Sequence, residues 1–199
     1  FVFAILLNSV GIVILKSQKV YGVDEVAAST LELFKDLPIA IVSFFVASLL
    51  PRIGFKKAML FALLLVTVAT LGMYFGNSFF SAKALFAAVG VSFALIKVSV
   101  YSMIGQVTSN SKEHNSLMSS IEGVFMFGIA LAYFIFPAFN HDSDPNSWLN
   151  VYILLAALCM MSFGFLYFSK TNEVTSTSDH QTNYMQDFLD MLKMAKTKL

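Results

Sequence analysis

Charged residues are scarce in this sequence. Of its 199 residues, 13% are Asp, Glu, Lys or Arg, whereas an average soluble domain has about 25%. The 13 basic and 12 acidic residues leave a formal net charge of +1, so the chain lacks the basic excess of a nucleic-acid-binding protein. It equally lacks the strong net charge of a disordered chain. We therefore predict no nucleic-acid partner.

Residues that build reactive or metal-binding sites are also few. Cys159 is the single cysteine, which excludes an internal disulfide and a multi-thiolate metal site. The three histidines, at positions 114, 141 and 180, lie in polar segments. The sequence has no Gly-x-Ser-x-Gly, His-Glu-x-x-His or phosphate-binding glycine loop. We accordingly predict that the chain is not an enzyme and has no metal or cofactor site.

Long apolar runs are abundant. The chain is 57% hydrophobic with a mean hydropathy of +0.74, and a helix needs about 20 apolar residues to cross a bilayer. None of the runs alternates with the period of two that a barrel strand shows. The sequence therefore predicts an all-α, polytopic membrane helix bundle. The six predicted spans lie near residues 1–15, 31–50, 58–75, 84–107, 117–139 and 148–168.

The ends of the chain differ from these spans. The chain opens with Phe1 inside a short apolar run, which we interpret as a truncated membrane helix. Residues 171–199 begin with a polar stretch typical of a linker and end in a short amphipathic helix. At the ends of the sixth run, Trp148, Tyr152 and Tyr167 are typical of an aromatic belt at the membrane interface.

Basic residues in the loops predict the orientation. Eight of them fall on the side of the second loop, the fourth loop and the tail, and three fall on the other side. Because basic loops stay on the cytoplasmic side, we expect residues 171–199 to be cytoplasmic. The chain is thus predicted to be an integral membrane protein of a plasma membrane or bacterial inner membrane, with the lipid bilayer as its surroundings.

Several polar residues lie within the predicted spans, where an ionisable side chain is a functional candidate by default. The third and sixth spans contain no charge, so we expect them to face lipid while spans two, four and five surround a hydrated path. The candidate substrate or coupling-ion residues are Asp36, Lys97, Glu122, Glu32 and Asn8.

Spacing suggests how these charges pair. Lys97 and Glu122 lie at depths that differ by less than about 8 Å, at a rise of 1.5 Å per residue, so their side chains can approach each other. Glu32, Lys35 and Asp36 crowd one helical face. Such a group could take up and release a proton. The alternative is that these charges are neutralised pairs that fix the helix register.

The segment 47–57 resembles the signature loop between the second and third helices of the major facilitator superfamily (MFS), Gly-x-Leu-x-Asp-Arg-x-Gly-Arg-(Arg/Lys). The matching residues are Leu49, Arg52, Gly54 and Lys56. Ala47, Pro51 and Phe55 depart from the pattern, and Pro51 replaces the acid that latches the cytoplasmic gate in that family. The resemblance implies a cytoplasmic gating loop at Arg52, Gly54, Lys56 and Lys57.

The resemblance extends to the order of spans and loops, which is similar to the N-terminal six-helix half of a facilitator with part of its central loop. It implies that helices one, two, four and five line a cavity. It further implies a secondary active transporter that moves a small solute by alternating access, with H⁺ as a candidate coupling ion. The partner would be a C-terminal half of the same chain.

Two other functions remain open from the sequence. A six-helix membrane scaffold or sensor would use the intramembrane charges only to hold helices together. A membrane enzyme would need a nucleophile or metal ligands at membrane depth, and the sequence offers no motif for either.

Overall fold

The structure is a computed structural model that describes residues 1–139 and 146–170. The predicted linker and amphipathic helix at 171–199 lie outside these described residues, as do the side chains at positions 47, 48, 51 and 52.

The described residues form seven α-helices and one short 3-10 helix, with no β-strand among them. The helices are α1 (Val2–Asn8), α2 (Val10–Tyr21), α3 (Glu25–Ile53), α4 (Phe55–Gly76), α5 (Phe79–Val107), α6 (Ser111–Ala138) and α7 (Asn150–Phe168), and the 3-10 helix Ser147–Leu149 precedes α7. The predicted all-α class is confirmed.

Four helical segments in the described part of the chain are long and apolar enough to cross a membrane: α4, α5, α6 and residues 147–168. Helices α1 and α2 pass the same test as a pair and meet at a bend of 46°, so they count as a fifth span if they cross together. The remaining predicted span corresponds to α3, which has 29 residues and bears four charged residues in its first half.

The helices extend past the apolar runs that predicted them. Helix α2 continues to Tyr21 through the polar residues that we expected to form a loop, and α6 starts at Ser111, before its apolar run. Side-chain caps stabilise the starts of α5 and α6. Ser78 accepts a hydrogen bond from the Ser81 amide at 3.1 Å, and Asn110 accepts one from the Glu113 amide at 2.9 Å. An apolar run indicates which part of a helix suits the hydrocarbon core of a membrane, whereas the capping residues determine where the helix begins.

Helix α5 is central to the packing, because it contacts both α3 and α4, while α4 also packs on α7 and α1 packs on α6. Two glycines allow the closest approaches. A methyl group at Gly90 of α5 would overlap the Lys35 carbonyl oxygen of α3, and one at Gly128 of α6 would lie 2.8 Å from the Ala4 Cβ atom of α1. Small residues at such crossings are typical of membrane helix bundles.

The predicted aromatic belt is wrong for two of its three residues. Trp148 and Tyr152 are buried, with 1% and 0% exposure, and their rings contact each other while Tyr152 also contacts Phe136. Only Tyr167 is exposed. Position along the helix predicted these residues near an interface, but the face they occupy is directed into the bundle, where large aromatic surfaces pack.

The outward faces of α4 and α7 bear large apolar side chains. These exposed residues are Phe61, Leu64, Val68, Leu71 and Phe75 on α4, and Ile153, Leu154, Met160, Met161 and Phe165 on α7. A continuous apolar face of this kind suits contact with lipid.

Candidate functional site

A cavity of about 310 Å³ opens between α1, α5 and α6. Most of its wall is apolar or aromatic, and three polar side chains interrupt it. The lining residues are Phe1, Phe3, Phe93, Ile96, Lys97, Val100, Tyr101, Ile121, Glu122, Val124 and Phe125. An apolar pocket with a few convergent polar groups is the usual form of a small-molecule site.

The structure brings Lys97 and Glu122 together in this cavity. Helices α5 and α6 are joined by the short segment 108–110, so they leave the connection side by side. Lys97 lies 10 residues before the end of α5 and Glu122 lies 11 residues after the start of α6, which places both at a depth of about 15 to 17 Å. Their similar depth agrees with the prediction from helical rise, and their role in binding stays a prediction.

The two charges do not pair directly in the described part of the chain. The Tyr101 hydroxyl donates a hydrogen bond to the Glu122 carboxylate. The Lys97 ammonium instead lies 5.7 Å from the Phe93 ring centroid and 5.6 Å from the Tyr101 ring centroid, a distance at which the ring faces attract a cation. The carboxylate is therefore held by a neutral donor, and the ammonium forms no salt bridge with any residue that the structure describes.

Our sequence reading missed Phe93 and Tyr101 as partners of these charges. Both are four residues from Lys97 on α5, a spacing that places side chains on one face of a helix. This spacing could have identified the two rings as neighbours of Lys97. It did not stand out, because the chain has 21 phenylalanines and aromatic residues are common in membrane helices.

Glu32, Lys35 and Asp36 of α3 lie outside this cavity. Lys35 pairs with the neighbouring Asp36 at 3.4 Å, and the Asp36 side chain is 64% exposed. Glu32 is also exposed. The structure thus separates the two groups of predicted site residues: Asp36 and Glu32 belong to the surface of α3, and Lys97 and Glu122 belong to the cavity.

Asn8 does not line the cavity either. Its side-chain amide donates to the Ala4 carbonyl oxygen at 2.9 Å, within its own helix. The adjacent Ser9 hydroxyl donates to the Leu6 carbonyl oxygen at 2.7 Å at the junction of α1 and α2. These bonds satisfy backbone groups where the helix bends.

The predicted gating loop is the sharp junction between α3 and α4. Gly54 has a φ of 93°, a conformation that glycine adopts without steric strain. The Lys56 ammonium donates to the carbonyl oxygens of Tyr167 and Ser169, at 3.0 and 2.6 Å, and Lys57 is exposed. The Arg52 side chain lies outside the described residues. Lys56 therefore ties this junction to the end of α7, and a gating role for the loop stays a prediction.

The cavity chemistry is suited to binding or proton exchange. No group of three or more His, Cys, Asp or Glu side chains that could hold a metal ion occurs among residues 1–139 and 146–170. The cavity offers one carboxyl group, one ammonium and one phenol in an apolar wall. These groups can hold a polar part of a solute or exchange a proton, because polar interactions strengthen where water is scarce.

Comparison with protein-family models gives a match to the Major Facilitator Superfamily over residues 1–198. No match was found among curated proteins or among solved structures. The family match spans nearly the whole chain and agrees with the all-helical fold and its apolar spans. The chain belongs to the Major Facilitator Superfamily and is an integral membrane transport protein of that family.

Proposed function

We propose that this chain forms one half of a secondary active transporter, which moves a small solute by alternating access and couples the movement to protons through Glu122. The cavity between α1, α5 and α6 is the part of the solute site that this half supplies. A second bundle would provide the opposite wall, and the two bundles would rock about the site so that it opens to each side in turn.

One observation carries the proposal. Lys97 and Glu122 come from two different helices and line the same cavity, at similar distances from the ends of their helices. Ionisable side chains are expensive inside a membrane, and those that are kept there mark solute pathways or proton relays. Lys97 and Glu122 do not form a salt bridge with each other, so the Lys97 charge is not used to hold α5 and α6 together.

The groups around Glu122 support the proposal of proton coupling. Lys97 and Tyr101 of α5 face it across the cavity, and α1 contributes only the apolar side chains of Phe1 and Phe3. A carboxyl group so placed can carry a proton when the solute is bound and release it when the cavity opens to the other side. The Tyr101 hydroxyl holds the ionised carboxylate between cycles.

The test is solute-driven proton entry into vesicles that contain the full-length protein and a pH-sensitive dye. A panel of small solutes is added outside, and we expect at least one to acidify the lumen. Glu122→Gln should abolish the acidification by that solute yet keep its exchange across the membrane, because exchange requires no net proton release.

Glu113→Gln is the matched control, since Glu113 lies on the same helix and accepts a hydrogen bond from the Ser109 amide outside the cavity. It should behave as the wild-type protein does. Undiminished acidification in Glu122→Gln, or no acidification by any solute in the wild type, would contradict proton coupling at this residue.

A further inference from the structure

We propose that the transported solute is a monovalent organic anion with a compact apolar body about the size of one aromatic ring. Its anionic group binds the Lys97 ammonium, and its body lies among the phenylalanine rings of the cavity. This inference rests on the proposed transport function and specifies the substrate class of the same site.

The size of the body follows from the cavity. An apolar cavity of about 150 Å³ is enough to hold benzene, and ligand pockets range from about 300 to 1,000 Å³. The part of the site that this half supplies, at about 310 Å³, has room for one ring beside a small charged group. Its walls at Phe3, Phe93 and Phe125 suit an apolar or aromatic surface.

The sign of the charge follows from the partners of the two ionisable residues. Glu122 already accepts a hydrogen bond from Tyr101. The Lys97 ammonium contacts only ring faces among the described residues, which attract it less strongly than a carboxylate would. An anionic solute would therefore gain more from Lys97 than a cationic solute would gain from Glu122.

The proposed proton coupling also favours an anionic solute. With Glu122 protonated, Lys97 is the one charged side chain in the cavity lining, and a monovalent anion would neutralise it. A cationic solute would instead be repelled by Lys97 at that stage. When the bundles rock and the site is briefly closed to water, pairing Lys97 with an anion avoids the large penalty for an unpaired buried charge.

Four probes separate the contributions of charge and ring in binding to the purified full-length protein. Phenylacetate has both an anionic group and a ring, acetate has only the anionic group, benzyl alcohol has a ring without charge, and benzylamine has a ring with a positive charge. We expect phenylacetate to bind about 10- to 100-fold more tightly than acetate. We expect a similar advantage over benzyl alcohol and a larger one over benzylamine.

Variants then assign the charge preference to Lys97. Lys97→Met should remove the preference of phenylacetate over benzyl alcohol, and Lys97→Arg should keep most of it. Lys83→Met is the matched control, because Lys83 lies on the same helix and also contacts ring faces, those of Phe79 at 4.6 Å and Phe34 at 5.4 Å, but outside the cavity. It should leave the preference unchanged.

Three outcomes would overturn the inference: tighter binding of benzylamine than of phenylacetate, equal binding of acetate and phenylacetate, or an unchanged preference in Lys97→Met. If phenylacetate does not bind but another solute causes Glu122-dependent acidification, the substrate class is wrong and the transport proposal stands. If phenylacetate binds at Lys97 but no solute crosses the vesicle membrane, the substrate site stands and the transport proposal is wrong.

Discussion

At the scale of single residues, glycine determines how closely α5 approaches its neighbour α3. Gly90 faces the Lys35 carbonyl oxygen, and an added methyl group has no space there. Gly105 is on the same helix, yet a methyl group at that position would meet nothing within 4 Å. The two positions therefore separate the packing effect of a methyl group from its effect on the helix itself.

We predict that Gly90→Ala lowers the melting temperature of the purified protein. Forcing a methyl group into a packed contact destabilises by about 1–3 kcal/mol, more than the gain of up to about 1 kcal/mol that alanine gives a helix. Gly105→Ala should leave the melting temperature unchanged or raise it. Equal melting temperatures for the two variants would mean that α3 and α5 do not pack as closely as described.

The candidate site was partly predictable at this scale. Helical rise alone predicted that the depths of Lys97 and Glu122 differ by less than about 8 Å, because both are counted from a short connection between neighbouring antiparallel helices. Which group each charge contacts was not predictable, since that depends on the rotation of each helix about its axis. For the same reason Asn8 proved to bond its own helix, and Glu32 and Asp36 lie on another surface.

At the scale of helices, Lys56 connects two elements far apart in sequence. It lies at the start of α4 and donates to two carbonyl oxygens at the end of α7. The last carbonyl groups of a helix have no partner within the helix, and a cation stabilises them together with the negative end of the helix dipole. The adjacent Lys57 is exposed and offers a matched comparison.

We predict that Lys56→Met destabilises the protein by about 1 kcal/mol, whereas Lys57→Met has no measurable effect, as judged by thermal melting in detergent. A gating role alone, as the resemblance to the family loop implies, would slow transport without changing the melting temperature. An unchanged melting temperature in Lys56→Met would therefore remove the capping role.

The sequence predicted the order of the helices well and their ends poorly. Apolar runs identify the residues that suit hydrocarbon, but caps such as Ser78 and Asn110 determine where a helix starts. The bend between α1 and α2 at Ser9 was not predicted. The run around it has no proline, and its polar residues Asn8 and Ser9 were treated as part of one span. The burial of Trp148 and Tyr152 likewise depends on helix rotation, which their position in the sequence does not specify.

At the scale of the whole molecule, the distribution of surfaces supports a transporter half better than a closed bundle. Helices α4 and α7 present apolar faces suited to lipid. The cavity on α1, α5 and α6 instead presents a lysine, a tyrosine and a glutamate, which lipid would not accommodate. Under the proposed function, a second bundle against this side would cover these groups and complete the site.

Alternating access requires that this cavity open to the two sides of the membrane in turn. A cysteine at position 124 would report its opening, because Val124 lines the cavity and is 55% exposed. Val68 on the apolar face of α4 is also a valine and is 61% exposed, so a cysteine at position 68 is the matched control. Both cysteines are introduced into the full-length protein from which native cysteines, Cys159 among them, are removed.

The decisive measurement is the reaction of each cysteine with a membrane-impermeant thiol reagent, in right-side-out and in inside-out vesicles. Val124→Cys should react from both sides, because the cavity fills with water on each side in turn and a hydrated thiol can ionise. Val68→Cys should react from neither side, since lipid excludes the reagent. Reaction of Val124→Cys from one side alone would contradict alternating access through this cavity.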